Sequence, residues 1–252
     1  DGQQMYVSVG SGSNVADGMD QRGPKEVAAW QASHALGAAW GSEEDRADVL
    51  VFKPDGSDRH VWATGLRNCT GLAQEPASGA LWCVTNERDG LGDDLVPDYA
   101  TRVPSGSFFG WPWYYLGAHE DPRRRGERPD LARHVRVPDL LIQAHSAPLQ
   151  ILFYQSRAAH AFAPAHRGDA FITLHGSWNR RQRTGYKVIR VHLDGHGHAR
   201  GDYEDFLTGF VNADDSVWGR PVGLAVANDG ALLVSDDANG VLWRVTAEAA
   251  PH

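Results

Sequence analysis

One unit of sequence occurs three times in this chain of 252 residues. Gly71–Ala73 precedes Gly79–Trp82, and the matching Gly223–Ala225 precedes Gly230–Leu233; a looser third copy runs between them over Ala147–Thr173. The two outer copies start 152 residues apart, so that one unit spans about 76 residues. A repeat of that length with roughly four strands is typical of a β-propeller blade that carries loop insertions.

Most of the chain alternates short runs of β-branched, aromatic and leucine residues with Asp-Gly and Ser-Gly turns. This pattern predicts successive antiparallel hairpins and an all-β fold. We interpret the short alanine-rich segment 26–36 as an irregular insert. Residues 5–10 match an interior strand of a further blade, which makes roughly three and a half blades. Because an open arc exposes edge strands, we expect N-terminal blades to be missing from this chain.

Composition excludes several classes of function. With 24 basic and 32 acidic residues the formal net charge is -8, which does not suit binding to nucleic acid or to an anionic membrane surface. No apolar run approaches the roughly 18 residues that span a bilayer. Cys69 and Cys83 are the two cysteines, and whether they pair across a hairpin depends on a strand register that the sequence leaves open.

Polar residues occur where the repeats begin. The guanidinium of Arg67 and the amide of Asn68 would suit a carboxylate and a carbonyl of a flat ligand; the alternative is a surface arginine beside a turn asparagine. His145–Pro148 and Trp218–Pro221 occupy the equivalent position in later repeats. We therefore expect three blades to present polar groups at one end of a central channel.

Three further segments contain candidate functional groups. Residues 86–94 hold four carboxylates and two glycines, which indicates either a site for a hard cation such as Ca²⁺ or a solvated acidic turn. The loop 175–180 combines histidine, serine, tryptophan, asparagine and arginine, but it lacks Gly-x-Ser-x-Gly and gives hydrolase chemistry little support. Trp111 and Trp113 could form an aromatic wall for a flat ring or a sugar.

Eight motifs, in order along the chain, give it a resemblance to a known family. They are Gly65–Asn68, Asn86–Asp89 with Leu91–Asp93, Val96–Tyr99, Phe109–Pro112, His145–Leu149, His175–Arg180, Gly219–Gly223 and Ser235–Asp237. Together they resemble the L-sorbosone dehydrogenase branch of the soluble glucose/sorbosone dehydrogenases. The resemblance extends from residue 1 to about residue 246.

This resemblance implies a six-bladed β-propeller, of which about four C-terminal blades would form one partial domain over residues 1–252. It also implies a periplasmic or secreted enzyme that oxidises an aldose or similar sugar with pyrroloquinoline quinone (PQQ) held by Ca²⁺, and that passes electrons to an external acceptor. The residues expected to contact the cofactor are Arg67, Asn68, Glu87, His145, His175, Arg180 and Arg220. The backbone carbonyls of Arg88 and Asp89 are expected to bind Ca²⁺.

In the implied mechanism, a general-base histidine removes the proton of the anomeric hydroxyl group while hydride passes from C1 to the quinone. By the resemblance, that histidine lies upstream of this chain, so we expect no turnover unless the missing blades or self-association complete the ring. One alternative is a Ca²⁺-dependent lactonase-type propeller, which needs axial carboxylates but no basic cradle. Another is a non-catalytic propeller that binds a partner or a glycan. Arg67, Arg180 and Arg220 favour the dehydrogenase.

Overall fold

The computed structural model describes residues 2–247, and its regular structure is almost entirely β. The strands are β1 (Met5–Val9), β2 (Asp48–Phe52), β3 (His60–Thr64), β4 (Cys69–Gln74), β5 (Leu81–Thr85), β6 (Asp98–Arg102), β7 (Ser107–Phe108), β8 (Tyr114–Tyr115), β9 (His119–Glu120), β10 (Leu140–Ile142), β11 (Pro148–Phe153), β12 (Ala170–Leu174), β13 (Lys187–Leu193), β14 (Ala199–Leu207), β15 (Pro221–Val226), β16 (Leu232–Asp236) and β17 (Val241–Val245). One α-helix, α1 (Pro24–Ser33), and short 3-10 helices at Gly41–Glu43, Pro129–His134 and Pro164–His166 lie between them. Within the described residues, no helix has the length and hydropathy that a membrane span requires.

The strands form four sheets that follow one another along the chain. Their spatial orders are β1-β2-β3-β7, β4-β5-β6-β10, β11-β12-β13-β14 and β15-β16-β17, and β8 with β9 forms a separate ribbon. Neighbouring strands are antiparallel except for β3 and β7. The inner strands β1, β4, β11 and β15 lie side by side in that order. This is the arrangement of successive propeller blades, and it confirms the all-β prediction.

Apolar side chains between neighbouring sheets form the core. One cluster includes Val84 and Ala100 of the second sheet and Ile151 and Ile172 of the third. Another joins Phe171 and Val188 of the third sheet to Leu232 and Val234 of the fourth. Each sheet is therefore buried on the faces that meet its neighbours, as alternating inward side chains require.

The repeated glycines are explained by close contacts between the inner strands. A Cβ atom on Gly71 would lie 2.8 Å from the Leu149 carbonyl oxygen on the neighbouring strand β11. A Cβ atom on Gly223 would lie 2.8 Å from Ser235 Oγ and 3.3 Å from Gln150 Oε1. Because only glycine avoids these overlaps, the repeated glycines mark close packing against the backbone of β11 at Gly71 and against the Ser235 and Gln150 side chains at Gly223.

The structure answers three expectations about local segments. The prediction of an irregular insert at 26–36 was wrong, because most of this segment belongs to α1. Pro24 occupies the first turn of the helix, and the Glu26 carboxylate accepts the Gly23 N–H at 2.8 Å. The aromatic wall expected from Trp111 and Trp113 was also wrong, since both indoles are fully buried in the core. The pairing left open by the sequence is settled by a disulfide between Cys69 on β4 and Cys83 on β5.

Candidate functional site

A polar cleft of about 260 Å³ opens at one end of the second and third sheets. Its walls come from residues at the starts of β4 and β11 and from loops that follow β5 and β12, which antiparallel pairing brings to the same end. The lining residues are Arg67, Asn68, Thr70, Asn86, Glu87, Asp89, Asp98, His145, Ala147, Leu149, Gly176, Trp178 and Asn179. The cleft is thus built from side chains of two neighbouring sheets, as a site near a propeller axis requires.

Arg67 provides a positive charge that lines this cleft. Its guanidinium donates from Nη1 to the Glu87 carbonyl oxygen at 2.8 Å and from Nε to the Asn14 carbonyl oxygen at 3.2 Å. Burial lowers the pKa of Arg67, and the nearby carboxylates of Glu87 and Asp89 act in the opposite direction. Among residues 2–247 no carboxylate forms an ion pair with it, so neutral carbonyl groups hold the side chain in place.

Asp98 joins the two loops on either side of the cleft. Its Oδ1 accepts the Glu87 backbone N–H at 2.8 Å, and its Oδ2 accepts the Ala147 backbone N–H at 2.9 Å. Burial raises the pKa of Asp98 to about 7, even though both of these N–H groups favour the carboxylate. The side chain therefore fixes the backbone on which Glu87 and the residues after His145 are carried.

His145 and Asn179 meet at the Asp89 carboxylate. His145 Nδ1 lies 3.1 Å from Asp89 Oδ1, and its Nε2 lies 2.9 Å from the Gly92 carbonyl oxygen. Asn179 donates from Nδ2 to the same Oδ1 at 2.7 Å. Both imidazole nitrogens therefore face oxygen atoms of the protein within hydrogen-bond distance.

The nine residues predicted from the sequence fall into four groups. Arg67, Asn68, Glu87, Asp89 and His145 lie together in the cleft. The remaining four lie outside its lining. His175 and Arg220 form a neighbouring cluster, Arg180 lies at the rim, and Arg88 is buried in the interior.

The neighbouring cluster and the rim are held by ion pairs. His175 Nε2 lies 3.0 Å from Asp237 Oδ2, and Arg220 Nε lies 3.0 Å from Asp237 Oδ1. Arg180 Nη2 pairs with Asp94 at 2.8 Å. The expected convergence of polar groups from three blades is therefore limited, in the described cleft, to groups from two sheets.

Arg88 and the carbonyl group of Asp89 form hydrogen bonds that hold the loop after β5 in place. The buried Arg88 guanidinium donates to Glu87 Oε2 at 3.0 Å and to Asp121 Oδ2 at 3.1 Å. The Asp89 carbonyl oxygen accepts hydrogen bonds from Asn14 Nδ2 and from Arg123 Nη1, each at 2.9 Å. Within the part of the chain that the structure describes, no group of three or more acidic, histidine or cysteine side chains is placed to hold a metal ion.

Eight lining residues were not among the predicted site residues, and the five of them with polar or aromatic side chains are Thr70, Asn86, Asp98, Trp178 and Asn179. Thr70 Oγ1 and Asn86 Nδ2 both donate to the Pro148 carbonyl oxygen, at 2.6 and 2.8 Å, and so tie β4 and its neighbouring loop to β11. Four of the five belong to motifs that the sequence does display. Which side chain of a motif faces the cleft depends on strand register, and that is not readable from the motif itself.

Comparison with known proteins places this geometry in context. A family model described as TrAA12-like matches residues 125–248. An uncharacterized protein of Borreliella burgdorferi is 32% identical over 201 residues, which cover 79% of this chain and 52% of that protein. A pyrroloquinoline quinone-dependent pyranose dehydrogenase of Coprinopsis cinerea is 32% identical over 136 residues, which cover 45% of this chain and 17% of that protein. The chain spans about half or less of the length of these relatives.

Two solved structures have the same fold over nearly the whole chain. The Trichoderma reesei enzyme of carbohydrate-active family AA12 superimposes with a TM-score of 0.71 at 21% identity, covering 95% of this chain and 64% of that one. The PQQ domain of the Coprinopsis cinerea pyranose dehydrogenase superimposes with a TM-score of 0.63 at 22% identity, covering 95% of this chain and 66% of that one. The chain therefore shares the nearly all-β fold of these proteins.

Proposed function

We propose that this chain forms the cofactor-binding part of a PQQ-dependent sugar dehydrogenase of the glucose/sorbosone type. The observation that carries the proposal is Arg67, a partly buried cation that lines a polar cleft and is held by neutral carbonyl groups. The nearby carboxylates of Glu87 and Asp89 offset only part of the desolvation of this guanidinium and form no ion pair with it, so an anionic ligand would supply the missing charge. The shared fold with the PQQ domain of a pyranose dehydrogenase adds support.

The donors of the cleft fit a flat tricarboxylate. Arg67 would bind one carboxylate, and the amide of Asn68 and the loop around Asn179 would bind carbonyl and carboxylate oxygens. Once bound, such a quinone accepts the hydride that leaves C1 of the sugar. Asp98 keeps the two loops in register around it through its two backbone hydrogen bonds.

We further propose that the proton is removed by a histidine outside the described residues. His145 lines the cleft, but its two nitrogens face Asp89 and the Gly92 carbonyl oxygen. A general base needs a free lone pair within hydrogen-bond distance of the proton that it takes. His145 therefore suits ligand binding and loop positioning better than proton abstraction.

One of the two expected Ca²⁺ ligands, the Asp89 carbonyl oxygen, does not fit the ion as it is arranged. Two N–H donors occupy the Asp89 carbonyl oxygen, and one of them belongs to the cationic Arg123. Ca²⁺ binds six to eight oxygen ligands and is repelled by a guanidinium at the same oxygen. We therefore base no step of the proposed reaction on Ca²⁺.

The remaining parts of the proposal concern the whole enzyme. We propose that further blades, or self-association, complete a six-bladed ring, that an aldose or similar sugar is the substrate and that an external acceptor takes the electrons. We also propose a periplasmic or secreted location, which the Cys69–Cys83 disulfide supports because such bonds persist in oxidising compartments.

The two alternatives receive less support from the cleft. A lactonase needs free carboxylates on the axis, but the Glu87 carboxylate accepts from Arg88, and Asp98 accepts from two backbone N–H groups. A purely glycan-binding propeller has no need of a desolvated Arg67. Neither alternative is favoured by a specific observation.

Calorimetric titration of PQQ into the purified chain, with Ca²⁺ and with EDTA, tests the proposal. We expect saturable binding of one quinone in both buffers. Arg67→Met should weaken it by about 10- to 100-fold, since a charged hydrogen bond contributes about 1.5–3 kcal/mol. Arg244→Met, which removes an exposed ion pair with Asp229 outside the cleft, is the matched control. Absence of quinone binding, both here and in a longer protein with the preceding blades, would refute the proposed function.

A further inference from the structure

Trp178 differs from the other tryptophans of this protein in its exposure. Its side chain lines the mouth of the cleft while 83% of it remains exposed. Trp218 is 39% exposed and packs against Phe210 and Trp243, and the other seven tryptophans are more buried. An indole left in water forgoes a large part of its burial free energy, and a ligand that covers the ring recovers it.

The backbone that carries Trp178 is fixed on both sides. Ser177 donates its N–H to the Thr184 carbonyl oxygen at 3.0 Å, its Oγ accepts the Thr184 N–H at 3.0 Å, and its carbonyl oxygen accepts from Tyr186 Oη at 2.6 Å. On the other side, Asn179 donates to the Asp89 carboxylate. The indole is therefore a pre-positioned surface on a braced loop, and exposure here does not reflect a loose chain end.

We propose that the indole of Trp178 is a stacking platform for the pyranose ring of the sugar at the mouth of the cleft. This inference rests on the proposed function and adds the residue that recognises the ring. Trp178 is the one large aromatic side chain among the described lining residues, and the others are mostly polar. The apolar C–H face of a pyranose suits such a surface, and its hydroxyl groups would face the charged rim that includes Arg180 and Asp94.

The position of Trp178 assigns it to the sugar and not to the quinone. Arg67, which would bind the anionic cofactor, is partly buried, whereas Trp178 projects into solvent. The ligand that binds last and exchanges during turnover must contact the outermost surface. That ligand is the sugar.

Iodide quenching of tryptophan fluorescence tests the proposal without turnover. Iodide reaches exposed indoles, so Trp178→Phe should remove most of the quenchable emission. With PQQ present, D-glucose should protect wild-type fluorescence saturably, and D-sorbitol, which has no pyranose ring, should not. Trp178→Ala removes the fluorescent reporter, so its effect is measured by calorimetry, where the apparent dissociation constant for glucose should rise about 10-fold. Trp218→Phe, outside the cleft, is the matched control and should leave protection by glucose unchanged.

The outcomes separate this inference from the proposed function. PQQ binding with no protection by glucose, or equal protection in Trp178→Phe, overturns the platform and leaves the dehydrogenase proposal standing. Protection by glucose without any binding of PQQ supports the platform and contradicts the dehydrogenase proposal. Absence of both responses refutes both.

Discussion

Asp98 is a buried carboxyl group whose protonation differs between the folded and unfolded chain. Its pKa is about 7 in the fold against an ordinary value near 3.8. A raised pKa means that the folded state binds the proton more tightly, so the contribution of Asp98 to stability is fully present below about pH 4 and is lost as the pH rises towards 7. Asp98→Asn does not titrate, so the stability of the wild type relative to this variant should fall over that range.

Urea unfolding at pH 4.5 and pH 7.5 measures this difference. Asp139→Asn is the control, because the Arg102 side chain helps to hold the pKa of Asp139 below its ordinary value. The contribution of a carboxylate with a lowered pKa is lost only at more acidic pH, so the effect of Asp139→Asn should not change between the two buffers. Parallel pH profiles for wild type and Asp98→Asn would contradict the assignment.

Arg88 is a second buried charge with a structural role. Its guanidinium bridges Glu87 and Asp121 and also donates to the Tyr114 carbonyl oxygen at 2.8 Å. Arg88→Met should lower the free energy of unfolding by about 3–5 kcal/mol, because it leaves the buried Glu87 carboxylate without its cation, while Asp121 keeps its pair with Arg123. Denaturant unfolding measures this, with Arg244→Met as an exposed control. A loss below about 1 kcal/mol would mean that the Glu87 carboxylate finds another partner.

Arg67 and Arg220 show which property of a single residue could not be predicted from the sequence, namely whether its side chain lines the cleft. Both begin a repeat, and the family resemblance implies a cofactor contact for each. Arg67 is bound by carbonyl groups and lines the cleft, whereas Arg220 pairs with Asp237. Asp237 lies 17 residues away on another loop, so this difference depends on a tertiary contact that no local pattern encodes.

At the scale of elements, Gly176 determines the path of the loop that carries Trp178. Its φ is +109°, and a Cβ atom would lie 2.4 Å from the Tyr186 ring. Gly209 has a φ of +100°, but nothing lies within 4 Å of its Cβ position. Gly209→Ala should therefore cost only the backbone strain of about 1 kcal/mol, and Gly176→Ala should cost several times more.

Two measurements check this pair of variants. Denaturant unfolding should rank Gly176→Ala well below Gly209→Ala in stability, and iodide quenching should report a change in Trp178 only for Gly176→Ala. Equal losses of stability would show that backbone strain dominates and that the Tyr186 ring moves aside readily.

Elements were predictable where their signal is local and periodic. The turn-bounded runs that become β4, β11 and β15 are visible in the repeat. The helix α1 was missed because its alanine-rich pattern carries little amphipathic signal, and Trp30, which donates to the Ala38 carbonyl oxygen at 3.0 Å, fixes it through a contact beyond its own end. Trp111 and Trp113 were misassigned because the local sequence around a tryptophan pair does not show whether the indoles are buried or exposed, and here both are buried.

At the scale of the whole molecule, the spacing of the repeat correctly predicted sheets that follow one another. The sequence could not say which strands complete each sheet. β7 lies at the edge of the first sheet although it follows β6 of the second, and it pairs in parallel with β3 through Ala63 and Ser107. Such a crossover depends on packing between sheets, which local propensity does not encode.

The burial of the sheets predicts a gradient of local stability across the molecule. Every residue of β12 is buried, and β13 is almost as buried, whereas β1 and β17 are largely exposed or half-buried. Local opening is easiest where few apolar contacts are lost. We expect amides of β12 and β13 to exchange with solvent at least about 100-fold more slowly than those of β1 and β17.

Hydrogen–deuterium exchange with peptide-level mass spectrometry measures this gradient. The hydrogen-bonded amides within β17 and β12 offer the sharpest comparison, because both strands have five residues and both pair with a neighbour in antiparallel register. Equal protection of the two would mean that the sheets open only together, as a single cooperative unit. A steep gradient would mean that the interface between the second and third sheets, which also carries the cleft, is the most stable part of the fold and keeps Arg67, Asp89 and His145 in place while the outer sheets open.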